Sequence, residues 1–157
     1  REEKRARFAA LSRDLTASKL PHKQITGFYN GHKTDLSFLV FMPAEMDEEN
    51  FKKILFSLGA KYLQESIIFS AKLRPGEIEK RNYLIFTTGE HAGYSRSGAG
   101  FIKNNKDNYS EITTTEGETI VIGAYNLEKE FRQHPELNRN GGEWEFTFII
   151  CRLHYVD

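Results

Sequence analysis

At 157 residues the chain has the length of one ordinary domain, and 39% hydrophobic residues with 12 Phe, 7 Tyr and one Trp argue for a real core and against a fully disordered polymer. Lys plus Arg and Asp plus Glu each number 22, so the formal net charge is zero, which argues against a domain that coats nucleic acid or an acidic membrane and leaves room for a local basic patch. The single cysteine, Cys151, allows neither an internal disulfide nor a zinc site of its own and points to a reducing compartment.

Residues 2–19 read as a helix, because Phe8, Leu11 and Leu15 form an i, i+3, i+7 stripe among charges and Pro21 ends it. A weak strand at 24–29 leads into Asn30-Gly31, the pair favoured in a type I′ turn because both central positions need positive φ. The next strand, 36–42, is apolar at nearly every position and is expected at the centre of the sheet. The second helix opens on Asp47 as N-cap, with Glu48 and Glu49 at the positive end of the helix dipole. Its face of Phe51, Ile54, Leu55 and Leu58, continued by Tyr62, is predicted to pack against Phe38, Val40, Ile67 and Phe69, with Gly59 a weak spot near its end.

Strands follow at 66–71 and 82–87, on either side of a loop at Pro75-Gly76. Residues 88–108 are rich in Gly and Ala and show no period, which reads as a long mobile or functional loop with at most short structured pieces. A second hairpin, 109–115 and 118–125, turns at Glu116-Gly117. A short helix capped by Asn126 carries Leu127 and Phe131 and ends at His134-Pro135. The last strand, 143–156, alternates with Trp144, Phe146, Phe148 and Ile150 on one face, and its Cys151 reads as a small buried hydrophobe.

This order predicts one α+β domain over 1–157: a mixed, mainly antiparallel sheet with two main helices and one short helix. The strict β-α alternation of a doubly wound parallel fold is missing. No apolar run approaches the roughly 20 residues that span a bilayer, and no signal peptide is visible, so a cytoplasmic protein without a membrane partner is expected. The chain starts at Arg1 rather than Met, so Arg1 is not expected to be the native start.

The most suggestive segment is Gly89-Glu90-His91-Ala92-Gly93-Tyr94-Ser95-Arg96-Ser97-Gly98-Ala99-Gly100. It follows a strand, its glycines let backbone N–H groups approach an anion, and Arg96 can pair bidentately with a phosphate or carboxylate. It contains neither the Walker pattern nor the dinucleotide fingerprint, and Arg96-Ser97-Gly98-Ala99-Gly100 is one residue short of the acyl-CoA loop of acetyltransferases. In an enzyme, Arg96 would hold the anion and His91 or Glu90 would move the proton. Basic and aromatic residues interleave at Tyr94, Arg96, Phe101, Lys103, Lys106 and Tyr109, a mix that can stack bases and hold phosphates.

Other constellations are incomplete. His32-Lys33-Thr34 supplies one half of the paired H-x-[ST] motif of 2H phosphoesterases, and no second half exists. The five histidines, His22, His32, His91, His134 and His154, form no H-x-x-x-H pair, so no metal and no cofactor are expected. Asp35 and Glu65 with Lys72 lack the adjacency of a nuclease site.

The run Asp35-Leu36-Ser37-Phe38-Leu39-Val40, then the second helix, then Tyr62-Leu63-Gln64-Glu65-Ser66-Ile67-Ile68-Phe69 resembles a small uncharacterised domain found in bacterial and phage proteins. Members of that group show an acidic-x-Ser-x-x-Val strand, a helix and a Gln-x-x-Ile/Val strand. Residues 5–20 match its leading helix, and Leu63 stands where the group has glycine. The resemblance covers about 5–69 and implies a bacterial host cytoplasm or a phage particle, with no activity attached. It also implies that Ser37 and Gln64 are neighbours beside the second helix.

With no catalytic set complete and with aromatic, glycine-rich and charged loop surface plentiful, the expected function is non-catalytic. The reading is a small binding or accessory protein, an inhibitor or a virion or assembly component, that contacts another protein through Arg96, Tyr94, Lys103 and Lys106. Two alternatives stay open: a phosphate- or nucleotide-handling enzyme built on loop 89–100, and a nucleic-acid-binding module using Arg96, Lys103 and Lys106.

Overall fold

A computed structural model describes residues 2–29, 32–43, 45–64, 66–71, 81–97, 109–114, 116–122, 130, 133–134 and 148–152. The elements run α1 (Glu2–Ala17), β1 (His22–Tyr29), β2 (His32–Phe41), α2 (Glu48–Lys61), β3 (Ser66–Ala71), β4 (Arg81–Phe86), β5 (Ser95–Ser97), β6 (Tyr109–Thr113), β7 (Thr119–Ile122) and β8 (Phe148–Arg152). The fold is α+β. The strands form one sheet in the order β5-β4-β3-β8-β2-β1-β6-β7, and every pairing among the described residues is antiparallel.

β2 and β3 flank α2 in sequence but are not neighbours in the sheet. The last strand, β8, lies between them, pairing Cys151 with both Phe38 and Ile67 in register. The apolar strand β2 is thus an interior strand. Its polar beginning, His32 and Lys33, pairs with Tyr29 and Phe28 of β1, which carries the strand four residues further back than its apolar content predicts. β1 starts earlier too, because His22 lies opposite Val40 and the Phe41 N–H donates to the Pro21 carbonyl. Asn30 and Gly31 lie outside the described residues, as does most of the short helix expected at 126–134. At its end the His134 N–H donates to the Glu130 carbonyl.

Both helices pack on one face of the sheet. Alternation puts Phe38 and Val40 of β2 and Ile67 and Phe69 of β3 on that face. There they form one buried cluster with Phe8, Leu11 and Leu15 of α1 and Phe51 and Leu55 of α2, and Ile54 and Leu58 pack against it. The Phe8 and Phe38 rings stack at 4.0 Å. Ile25, Leu39 and Phe41 alternate to the other face and are also buried, so the middle of the sheet is dry on both sides.

α2 begins as its sequence dictates: the Asp47 carboxylate accepts the Asn50 N–H at 2.7 Å. Both helices end in the same motif. In α1 Lys19 N–H donates to the Thr16 carbonyl and Leu20 N–H to Leu15, with Lys19 at φ 58°. In α2 Leu63 N–H donates to Ala60 and Gln64 N–H to Gly59, with Leu63 at φ 56°. This pair of bonds closes a helix on a left-handed residue, a place that favours glycine. Leu63 therefore sits in a conformation that favours glycine.

Two side-chain ties hold α1 in place. The Asp14 carboxylate accepts from Lys61 Nζ at 2.8 Å and from the Tyr62 hydroxyl, joining α1 to the end of α2. Those donors hold the Asp14 carboxyl below its ordinary range, with the Lys61 bond the larger cause, and the same contact raises Lys61 and Tyr62. His22 donates from Nδ1 to the Leu20 carbonyl, and its Nε2 is hydrogen-bonded to the Ser12 hydroxyl at 2.8 Å. No helix of the described residues is long and apolar enough to cross a membrane.

Candidate binding site

The glycine-rich segment begins as the tip of a tight hairpin. β5 falls inside the stretch read as a loop, because Ser95, Arg96 and Ser97 pair with Ile85, Leu84 and Tyr83 of β4. Three polar residues carry no strand period, so the pairing is invisible in sequence. The tip is fixed by backbone bonds: Ala92 N–H to the Gly89 carbonyl, Tyr94 N–H to His91, Gly93 N–H to Phe86, and Phe86 N–H to Tyr94. Gly93 and Tyr94 thus oppose the single residue Phe86, a bulge whose first position must be left-handed. Gly93 supplies it at φ 91°, and Gly89 enters the tip at φ 83°.

The base of this hairpin is locked to the end of α2. Thr87 and Thr88 both donate their hydroxyls to the Gln64 carbonyl, the Thr88 bond being 2.7 Å. A side chain on Gly59 would meet Thr87 Cγ2 at 2.8 Å. Gly59 is therefore a close-approach position rather than the weak spot its helix propensity suggests. Gln64 is fully buried; its Oε1 and the Ser37 hydroxyl are buried polar atoms without a hydrogen-bond partner among the described residues. Ser37 alternates away from helix-facing Phe38 and Val40, whereas Gln64 is anchored where α2 ends.

The hairpin has two distinct faces. On one, the His91 ring lies 5.7 Å from Phe86 and 6.5 Å, edge-on, from Tyr94, which is 69% exposed. Glu90 and His91 are both exposed at the tip. On the other, Tyr83, Ile85, Gly93 and Ser95 face α2 across an open groove of about 480 Å³, closed by Glu49, Lys52, Lys53, Phe56 and Ser57. Neither Glu90 nor His91 lines that groove. Arg96 pairs in register with Leu84, one step along from Ser95, so its backbone position alternates away from the groove. Lys103 and Lys106 lie outside the described residues.

No cluster of three metal-ligating side chains exists among the described residues. The groove was not legible in sequence, since its walls come from separate elements; only Gly93 and Ser95 belong to the segment singled out there. No family model, curated protein or solved structure matches the chain.

Proposed function

We propose that the protein is a small non-catalytic binding or accessory protein of bacterial or phage origin, an inhibitor or a virion or assembly component, working in the host cytoplasm or the particle through contacts with another protein. The observation that supports this reading most is the tip of the β4–β5 hairpin. It presents Tyr94, the most exposed large hydrophobic side chain among the described residues, beside His91. A tyrosine is a good interface anchor because it buries a large area with few torsions to order. Here its backbone is already fixed by the glycine bulge, so little further ordering opposes association.

The test sets binding against turnover. Wild type, His91→Ala and Arg96→Ala are assayed on nucleotides, phosphoesters and acyl-CoA donors, with and without divalent metal. The expected result is no reproducible turnover in any of the three. A turnover present in wild type and lost in both variants contradicts the proposal, because an anion clamp and a proton carrier would then serve one transition state. Saturable binding of wild type to a single-stranded oligonucleotide, lost in Arg96→Ala, contradicts it in favour of a nucleic-acid reader.

A further inference from the structure

We propose that the groove between α2 and the β4–β5 hairpin is a binding site for a small aromatic acid, a carboxylate carried a few bonds from an apolar ring. This site is independent of the recognition reading above, since it lies on the opposite face of the hairpin from Tyr94. Its volume, about 480 Å³, is that of a small-ligand pocket. Phe56, Tyr83 and Ile85 supply apolar and aromatic surface for a ring, and Ser57 and Ser95 add hydroxyls on opposite walls.

The charge preference comes from Lys52 and Lys53. Lys52 is the more informative because its side chain is only 27% exposed. Its ammonium lies 4.6 Å from the Phe69 ring centre and 5.5 Å from that of Tyr83. Aromatic faces attract a cation but accept none of its protons as a carboxylate would. The carboxylate beside it is Glu49, at 3.9 Å and 79% exposed, too far for a direct hydrogen bond. A partly dehydrated ammonium over apolar surface, with a loose partner that water can take back, is suited to a ligand carboxylate. The ligand's ring would then lie on Tyr83, Ile85 and Phe56, while Lys53, exposed on the next position of α2, reinforces the sign of the site.

The experiment titrates isotope-labelled full chain with 3-phenylpropionate and, separately, with 3-phenylpropylamine, which keeps the skeleton and reverses the charge. Backbone amide shifts are followed at Lys52, Tyr83, Gly93 and Ser95. The acid is expected to shift these amides saturably, and the amine to bind at least about fivefold more weakly. Lys52→Met keeps the apolar stem on the rings and removes the charge, so it should weaken the acid by about fivefold or more. Lys53→Met, on the exposed side, serves as a second variant should Lys52→Met fail to fold, and should weaken the acid in the same direction. Glu49→Gln removes the competing carboxylate and should tighten it. Equal binding of acid and amine overturns the proposal, as do shifts centred outside the groove or an unchanged affinity in the folded lysine variants.

Discussion

At one edge of the sheet β4 and β5 turn back through Gly93, and at the other β6 and β7 turn back through Gly117. The two closures share one hydrogen-bond pattern. Gly93 N–H donates to Phe86 and Phe86 N–H to Tyr94; Gly117 N–H donates to Thr114 and Thr114 N–H to Glu118. Both glycines are left-handed, at φ 91° and 87°. The side chains displayed differ. The β6–β7 tip carries exposed Glu116 and Glu118, and its turn is tightened by the Thr114 hydroxyl accepting the Glu118 N–H at 3.1 Å. The β4–β5 tip carries one carboxylate, Glu90, beside the aromatic rings of His91 and Tyr94. Charge at a sheet edge discourages pairing with other chains, whereas an aromatic side chain there invites contact. The two edges thus share one turn geometry, and what separates them is what that turn holds out to solvent.

The largest expected effect tests the core on which the sheet and α2 depend. Leu55→Ala, at a fully buried position of the α2 face, should lower stability by about 2–5 kcal/mol in chemical denaturation. A loss below about 0.5 kcal/mol would mean that this face is not packed as described.

Gly59→Ala should separate the two edges. The helix gains about 1 kcal/mol in propensity, but the new methyl meets a Thr87 side chain pinned by its bond to Gln64, and overpacking of that kind costs about 1–3 kcal/mol. A net loss is expected, with faster amide exchange at the β4–β5 hairpin and unchanged exchange at β6–β7. A net gain would show that Thr87 yields freely and that the lock on α2 is loose.

The shared build of the two turns has its own test. Among the described residues Gly93→Ala and Gly117→Ala meet no neighbour within 4 Å, so the left-handed backbone is what resists, at roughly 1–2 kcal/mol each. Equal losses in thermal or chemical melts are the expected outcome. A cost at Gly117 without one at Gly93 would mean that the β4–β5 tip is not held by its bulge.

A smaller effect concerns pH and lies away from both edges. Asp14 is held below its ordinary value of 3.8 by Lys61 and Tyr62. Its contribution to stability is therefore present above pH 3.8 and is lost as pH falls through the lowered folded value. Lys61 and Tyr62 are raised above 10.5 and 10.0, so their share is lost as pH rises through those raised values. Asp14→Asn should flatten both limbs of a midpoint-versus-pH curve, and limbs as steep as those of wild type would contradict the tie.

Much of this architecture is written locally. Strand β3 has the bounds its apolar centre predicts, Asp47 caps α2 as a short acceptor before a helix should, and the Glu116-Gly117 turn lies where the glycine puts it. What escapes the sequence depends on distant partners. Ser95, Arg96 and Ser97 become a strand only because β4 offers its edge. Gly59 reads as a poor helix residue until Thr87 is seen against it. Lys19 and Leu63 close helices in a conformation whose usual signature is glycine, so neither announces itself. The place of β8 between β2 and β3 carries no local signal at all. For the site, Tyr94 and its segment were legible as exposed aromatic and glycine-rich surface. The groove was not, because its walls are brought together from α2, β4 and β5.

The central claim is that the β4–β5 tip, and not the opposite edge of the sheet, meets the partner. The most direct measurement places a photo-crosslinking amino acid at Tyr94 and, in a second protein, at Val121, an exposed apolar position on β7. Both are irradiated in extract of the source cells, with and without Arg96→Ala. The account predicts one discrete protein adduct from position 94, none above background from position 121, and loss of the first with Arg96→Ala. Equal adducts from the two positions, or an adduct at 121 alone, would contradict it.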